Sequence, residues 1–449
     1  MKALKIIVVV LVLLLAALAA GMFALNRYVQ SPAFQQMARG AARKALHTEF
    51  DVRTIEISLF RGVKLQGVKI ANPSGYPGSL LTADSFVLRY RLLPLLHRRL
   101  EIQRLSLGKP VLTLSRNEKG EWNYDKLLAA AASPGAAPSV KQSAGSPGGG
   151  GVPLEVSLTR LAVNDGEITI LGDQGKALAK IQKATLTSAV NLAGGRLTGQ
   201  GQAKIGTAQV GDALTVSPLA FPWKMTPEEI TLSPLSGKCA GGTLSGNVAL
   251  KLAGGFRYLA DLQVQDADLT RLLTESGSKP VMSGRLRLTA NVAGSGGLDT
   301  IEGKGNAEIV DGRLLGNPVM NLLASLLQAP ELRDLQFQEC RLEFQIATNV
   351  MLTPVIRLTS PHVQITGQGA IALRDYSLNH DLTLAIAQTL FDRLPGEVQR
   401  AFADRGDGFR TVSFHVQGPY DHPTTDLPGR LAQGAIDRAI QRGLKKFLK

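Results

Sequence analysis

The sequence predicts a mainly β protein in which an N-terminal transmembrane helix precedes a long antiparallel, curled sheet with a few short helices. Three observations lead to this fold class: an unbroken apolar run at the N-terminus, segments of alternating apolar and polar residues along most of the chain, and 47 glycines in 449 residues. Alternation with a period of two is typical of antiparallel strands that have one apolar and one polar face. Glycines supply the turns between such strands.

The first element is the apolar run from Ile6 to Leu25, which two lysines precede. A helix of this length, at about 1.5 Å per residue, reaches across a hydrocarbon core of roughly 30 Å. We therefore expect residues 1–27 to be a single-pass membrane anchor and the rest of the chain to be exported. A signal peptide cleaved near residues 17–19 is the alternative, although the run is longer than a usual signal core.

Residues 28–132 are predicted to form an N-terminal β region. Ser31-Pro32 has the pattern of a helix N-cap and first turn, and it opens a basic helix that ends near His47. Short alternating segments follow, and Trp122–Ala132 reads as a short helix. The predicted strands are Val52–Leu59, Val63–Ile70, Phe86–Leu92, Leu100–Leu107 and Val111–Leu114.

Residues 133–151, SPGAAPSVKQSAGSPGGGG, are predicted to be a flexible linker because they contain almost nothing that a core could bury. Alternating strands then resume, and residues 152–428 are predicted to be a repetitive β-sheet region. The clearest repeat is residues 281–316, where a Gly-rich turn separates two alternating strands. The other predicted strands are Leu154–Leu161, Glu167–Leu171, Ala184–Leu192, Thr243–Leu252, Phe256–Val264, Arg341–Ile346, Val363–Leu373, Leu378–Ile386 and Thr411–Gln417.

Few helices interrupt these strands. We predict Ala267–Glu275, Pro318–Leu327 with Asn317 as its cap, and Gln388–Phe402 with a break near Pro395.

The C-terminal residues 429–449 are predicted to form a basic amphipathic helix, because apolar residues recur there at helical spacing among lysines and arginines. Such a helix suits an anionic membrane surface; the alternative is that it packs on the end of the sheet and shields its edge. The candidate membrane-surface residues are Arg438, Arg442, Lys445, Lys446 and Phe447.

The predicted apolar face must be covered. Roughly twenty strands with about three inward apolar residues each would otherwise forfeit tens of kcal/mol, whereas net stabilities are only about 5–15 kcal/mol. A second sheet could cover the face and give β-sandwich-like repeats, or the sheet could curl into a trough that acyl chains line. Aromatic residues usually dominate sandwich cores, but they make up only 5% of this chain. Their scarcity favours the trough. The candidate lipid-groove residues are Leu262, Val264, Leu286, Leu288, Val292, Ile309, Val363, Ile365 and Ile371.

Motifs for other chemistry are weak. Gly367-x-Gly369-x-x-Ala372 continues as a strand, whereas a dinucleotide site needs a helix there. The six histidines show no paired metal spacing, and no nucleophile elbow appears, so we expect no catalytic residue, no cofactor and no metal. The net charge of +14 is spread singly along strands without interleaved aromatics, which favours a membrane surface and argues against nucleic acid. Cys239 and Cys340 are expected to be buried thiols.

Several segments resemble the AsmA family. After the anchor, VRTIEISLFRGVKLQGVKIANPSGYPGSLL resembles that family's chorein-like N-terminal region, and LEIQRLSLGKPVLTLSRNEKGEWNYDKLL resembles its strand pair, charged turn and Trp-Asn helix start. YLADLQVQDADLTRLL, GRLRLTANVAG, VQITGQGAIALRDYSLNHDLTLAI and VSFHVQGPYDHPTTDLP resemble its C-terminal repeats, so 255–428 is expected to be an AsmA-like C-terminal part.

The resemblance implies a protein anchored in the cell inner membrane, single-pass, with the bulk of the chain in the periplasm. It implies phospholipid binding or transfer along the groove, in support of outer-membrane lipid homeostasis and envelope assembly. The implied partners are phospholipid, the inner membrane, and outer-membrane or envelope assembly proteins. It implies no catalytic residues. The alternative is a structural or assembly factor for outer-membrane biogenesis that carries no lipid.

Overall fold

The computed structural model describes residues 48–58, 62–91, 94, 99–117, 120–125, 155–172, 175–193, 196–211, 214–253, 257–295 and 300–430, with isolated positions among residues 27–47. The predicted anchor and linker lie outside these residues, as do nearly all of the predicted C-terminal helix and most of the predicted helices near residues 31–47 and 122–132. Within the described part of the chain, no helix has both the length and the hydropathy needed to cross a membrane.

The mainly β fold is confirmed, and the strands fall into two compact units. The first unit takes the described residues up to Gly211 and Pro222–Pro227, and the second takes those of Asp212–Phe221 and from Glu228 onward. Strands of the first unit are β1 (Phe50–Ser58), β2 (Gly62–Ala71), β3 (Ser79–Arg91), β4 (Arg99–Gly108), β5 (Val111–Ser115), β6 (Glu155–Leu158), β7 (Arg160–Leu171), β8 (Ala177–Ala193), β9 (Arg196–Ile205) and β10 (Thr207–Val210).

The sheet of the first unit is mixed, which corrects the prediction of a wholly antiparallel sheet. Strands β1 to β3 pair antiparallel in order, β4 and β5 both pair antiparallel with β3, and β8 pairs antiparallel with β7, β9 and β10. However, β4 pairs parallel with β6 and β7, and β5 pairs parallel with β7. A parallel pair needs a crossover of about a dozen residues or more, and here the crossover includes residues 133–151. Strands on both sides of the predicted linker therefore belong to one unit.

The second unit is an antiparallel meander. Each strand from β12 to β20 pairs with the next, and β22 pairs with β20. The short strands β21 and β23 pair with the outer edge of β22. The remaining strands are β11 (Leu214–Met225), β12 (Glu229–Cys239), β13 (Gly242–Lys251), β14 (Arg257–Asp268), β15 (Met282–Gly294), β16 (Glu302–Leu315), β17 (Asp334–Ala347), β18 (Val350–Thr359), β19 (Val363–Ala372), β20 (Ser377–Ala387), β21 (Ala403–Asp404), β22 (Phe409–Pro419) and β23 (Thr424–Thr425).

Short helices follow three strands of this meander. They are α1 (Leu269–Glu275), α2 (Pro318–Leu327), a 3-10 helix (Pro330–Arg333), α3 (Gln388–Phe391) and α4 (Gly396–Gln399). The prediction for α2 is confirmed, because its bounds agree and the Asn317 side chain accepts hydrogen bonds from the amides of Val319 and Met320. The predicted break near Pro395 is also confirmed, since this proline separates α3 from α4.

Among the strands that were not predicted, β12 and β18 each contain a proline, which is uncommon inside a sheet. Pro234 in β12 lies at a register shift between Leu232 and Leu235. Pro354 in β18 lies at a similar shift against β19. A bulge leaves one residue out of the hydrogen-bonded ladder, so a proline at that point removes no ladder bond.

Candidate functional site

A continuous row of apolar and glycine residues crosses eight strands of the second unit. Each member is directly opposite the next across β13 to β20, and every member is half-exposed. Seven strand spacings of about 4.8 Å make the row roughly 34 Å long. We call this row the second-unit strip: Val248, Ala260, Val292, Gly303, Ile346, Met351, Ile371 and Leu378.

Another row of the same face is covered by helices. Leu358, Ile365, Leu384 and Val412 are directly opposite one another across β18, β19, β20 and β22. They belong to a core that includes residues of α2, the 3-10 helix, α3 and α4, and Leu384 is completely buried. The two end members of the second-unit strip, Val248 and Leu378, pack against core clusters, whereas the middle of the strip belongs to none.

The nine predicted groove residues divide between these parts. Val292 and Ile371 lie in the second-unit strip, whereas Val363 and Ile365 are buried under the helices, with exposed fractions of 1% and 8%. Five residues lie in or beside a second core to which α1 contributes Leu269: Val264 and Leu286 are buried there, and Leu262, Leu288 and Ile309 are partly buried against it.

A similar row in the first unit was not predicted, because the predicted groove residues all lie between residues 262 and 371. Each member is directly opposite the next across β2, β3, β5, β7, β8 and β10, and all are half-exposed. Among the described residues, the core cluster of this unit consists of strand residues alone. We call this row the first-unit strip: Ile70, Leu81, Leu112, Ile168, Ile181 and Ala208.

One buried polar pair lies on the apolar face of the second unit. Thr353 Oγ1 is 3.0 Å from Nε2 of His380, and Gly369 lies between these residues in the register. The exposed fractions are 0% for Thr353 and 6% for His380. Burial, with a smaller contribution from His415, lowers the pKa of His380, while Asp381 opposes the shift. The imidazole is therefore held neutral in an apolar setting.

The described residues offer little for metal or thiol chemistry. They contain no group of three His, Cys, Asp or Glu side chains that could hold a metal ion. Burial raises the pKa of the Cys340 thiol to about 11, with Glu339 as a smaller cause, and burial also raises the pKa of Cys239. Both thiols are free and remain protonated near neutral pH.

The sequence profile of the AsmA family matches residues 1–227, about half of the chain. The chain belongs to the AsmA family. The match takes in all ten strands of the first unit and so includes the first-unit strip, whereas the AsmA-like character of residues 255–428 stays a prediction. No curated protein and no solved structure matches the chain.

The turn that resembles the AsmA family has a clear structural role in this chain. Asn123 is completely buried; its side chain accepts a hydrogen bond from the amide of Ser115 and donates to Asn72 and to the carbonyl of Thr113. These bonds tie the end of β5 to the turn between β2 and β3. In the same turn the Trp122 and Tyr124 rings stack with centroids 5.8 Å apart. This part of the AsmA pattern therefore fixes one end of the first-unit sheet.

Proposed function

We propose that this AsmA-family protein binds phospholipid acyl chains on its two half-exposed strips and so supports outer-membrane lipid homeostasis. The observation that carries the proposal is the second-unit strip, an unbroken row across eight strands. Its length of roughly 34 Å exceeds the roughly 15 Å that one acyl chain occupies in half of a bilayer core.

The energy available on the strip supports acyl binding. Full burial of a Val, Ile or Met side chain contributes about 1.5–3 kcal/mol, so covering one that is already largely buried contributes less than about 1 kcal/mol. Four large side chains in the middle of the strip belong to neither core: Val292, Ile346, Met351 and Ile371. An acyl chain on these four would gain at most about 4 kcal/mol before the loss of its own conformational freedom.

The rest of the proposed function follows the family and the sequence. Residues 1–27 hold the protein in the inner membrane, the two units lie in the periplasm, and the protein binds lipid without catalysing a reaction. An assembly factor that carries no lipid is the second candidate, and the closed, helix-covered core favours it.

Photo-crosslinking distinguishes the two faces of one strand. Photoreactive benzoylphenylalanine placed at Met351, in the strip, should crosslink to phospholipid in cell envelopes, and mass spectrometry of the adduct identifies the lipid. The control is Leu352, the next residue, which lies on the opposite face and is 49% exposed. Leu112 and Val111 form the same kind of pair in the first unit, since Val111 is 38% exposed on the other face.

Lipid adducts at Met351 and Leu112 together with none at Leu352 and Val111 would support the proposal. Equal lipid labelling at all four positions would show only that the protein is near a membrane. Adducts to protein alone at Met351 and Leu112 would replace the proposal with the assembly-factor function.

A further inference from the structure

Three arginines lie side by side on the polar face of the first unit. Arg89 on β3 is directly opposite Arg104 on β4, and the parallel pairing of β4 with β7 brings Arg160 next to Arg104. All three side chains are exposed. Because opposite residues have Cβ atoms about 5 Å apart, three positive charges start from backbone positions within roughly 10 Å. We call these residues the arginine row.

The arginine row has no counter-charge among the described residues. None of its three side chains makes an ion pair or a side-chain hydrogen bond there. The nearest acidic side chain in the register, Glu101, lies three residues before Arg104 on β4 and is 3.3 Å from Arg91. The patch therefore carries an excess of positive charge.

The polar face of the second unit shows the contrasting arrangement. The Glu308 carboxylate lies 3.5 Å from Arg287 and 3.2 Å from Arg341. The Arg313 guanidinium donates two hydrogen bonds, one to each carboxylate oxygen of Asp334. Arg287, Arg313 and Arg341 thus each have a carboxylate on a neighbouring strand, although Arg341 is also directly opposite Arg357. The arginine row of the first unit breaks this pattern.

We infer that the arginine row docks the first unit on the phosphate groups of an anionic lipid surface. Like charges directly opposite in a sheet destabilise it, and such local conflicts concentrate at functional sites. A guanidinium remains charged at any physiological pH and binds phosphate oxygens through two parallel hydrogen bonds. The three side chains are exposed on an open sheet face and span roughly 10 Å, which suits several headgroups better than one enclosed phosphate.

The inferred surface is independent of acyl binding, because it lies on the opposite face of the sheet from the first-unit strip. Arg104 precedes Leu105 in an alternating strand, and Leu105 is directly opposite Leu88 and Leu161 on the apolar face. A predicted anchor that ends near residue 27 would keep this unit within reach of a bilayer. A lipid surface is therefore favoured over a soluble phosphate.

The test uses the full chain reconstituted in vesicles. A fluorophore is attached to Ala189→Cys, an exposed position directly opposite Arg160, and lipids with spin-labelled headgroups quench it when the face touches the bilayer. The vesicles contain phosphatidylcholine alone or phosphatidylcholine with phosphatidylglycerol. The triple variant Arg89→Gln, Arg104→Gln, Arg160→Gln is compared with the control Arg287→Gln, Arg313→Gln, Arg341→Gln, which removes the same charge from the second unit.

We expect strong quenching only with phosphatidylglycerol, and a loss of quenching as salt shortens the screening length from about 10 Å at 0.1 M to about 3 Å at 1 M. Each basic residue near an anionic surface contributes roughly fivefold, so the triple variant should lower the ratio of docked to free protein roughly a hundredfold. The control variant should leave this ratio unchanged.

Two results would overturn the inference. Equal losses in the two triple variants would mean that net charge acts without a specific surface. The second result would come from titration with inorganic pyrophosphate. If the wild type bound pyrophosphate, the arginine-row variant did not, and lipid headgroups quenched neither protein, the row would bind a soluble phosphate compound. Protease resistance of each variant verifies that it is folded, and a variant that fails this check is replaced by its single substitutions.

Discussion

In the second unit, helices cover the apolar face at one end of the strands and leave it uncovered at the other. The sequence pattern is the same at both ends. Strand β19 contains Val363 and Ile365, which are buried under helices, and Ile371, which lies half-exposed in the second-unit strip. All three alternate with polar or small residues in one ten-residue strand. Alternation therefore decides which face a side chain occupies, but it does not decide whether that face is covered.

The connections between strands decide the cover. In an antiparallel meander, alternate strands end at the same side of the sheet. The helices α1, α2 and α3 follow β14, β16 and β20, so all of them enter at one side and pack over the neighbouring rows. At the other side, β17 joins β18 and β19 joins β20 through turns of two and four residues, which contain no helix. The second-unit strip runs along this uncovered side.

Truncation of a core side chain should separate the two regions by the largest margin. We expect Leu384→Ala, at a completely buried position under the helices, to lower the free energy of unfolding by about 3 kcal/mol, because it removes apolar contacts and leaves a cavity. Met351→Ala in the strip should lower it by about 1 kcal/mol or less, since this side chain is already partly in water. Urea titration of both variants measures the difference. Equal losses would mean that the strip is part of a closed core.

A smaller, pH-dependent effect should arise at the boundary between the regions. The pKa of His380 is lowered in the folded protein. Below a pH of about 6.5, the ordinary pKa of histidine, His380 is therefore protonated more readily in the unfolded chain than in the folded one. Stability should therefore fall as the pH drops through that value. His415 and Asp381, which also affect this pKa, are paired with each other on the opposite face of the sheet. Both remain in the variant His380→Gln, which can keep a hydrogen bond to Thr353.

Melting temperatures of the wild type and of His380→Gln between pH 5 and pH 8 measure this effect. The wild type should lose more stability than the variant toward pH 5. Parallel curves would show that the buried imidazole does not control the acid sensitivity of this face.

The sequence predicts part of this structure well. The helix Pro318–Leu327 follows from the Asn317-Pro318 signal, and the alternation of Leu286, Leu288 and Val292 correctly placed them on one face. Both features depend on residues that are neighbours in the chain. The sequence also carried the AsmA resemblance, which the family match over residues 1–227 confirms.

Other features depend on contacts between distant residues and could not be read locally. The parallel pairing of β5 with β7 joins segments separated by the predicted linker, and no local pattern specifies it. The bulges that accommodate Pro234 in β12 and Pro354 in β18 form only in the paired sheet, and these two strands were not predicted. The covered state of Val363 likewise depends on helices that lie far from it in sequence.

If the second-unit strip carries lipid, the phospholipid content of the purified chain should depend on the apolar side chains of that strip. Mass spectrometry would compare the full chain with Ile371→Asp in the strip and with Leu352→Asp, at an exposed position of the other face. A carboxylate in an acyl-binding surface is costly, so Ile371→Asp should retain much less phospholipid, whereas Leu352→Asp should match the wild type. Equal phospholipid in all three folded proteins would contradict the account.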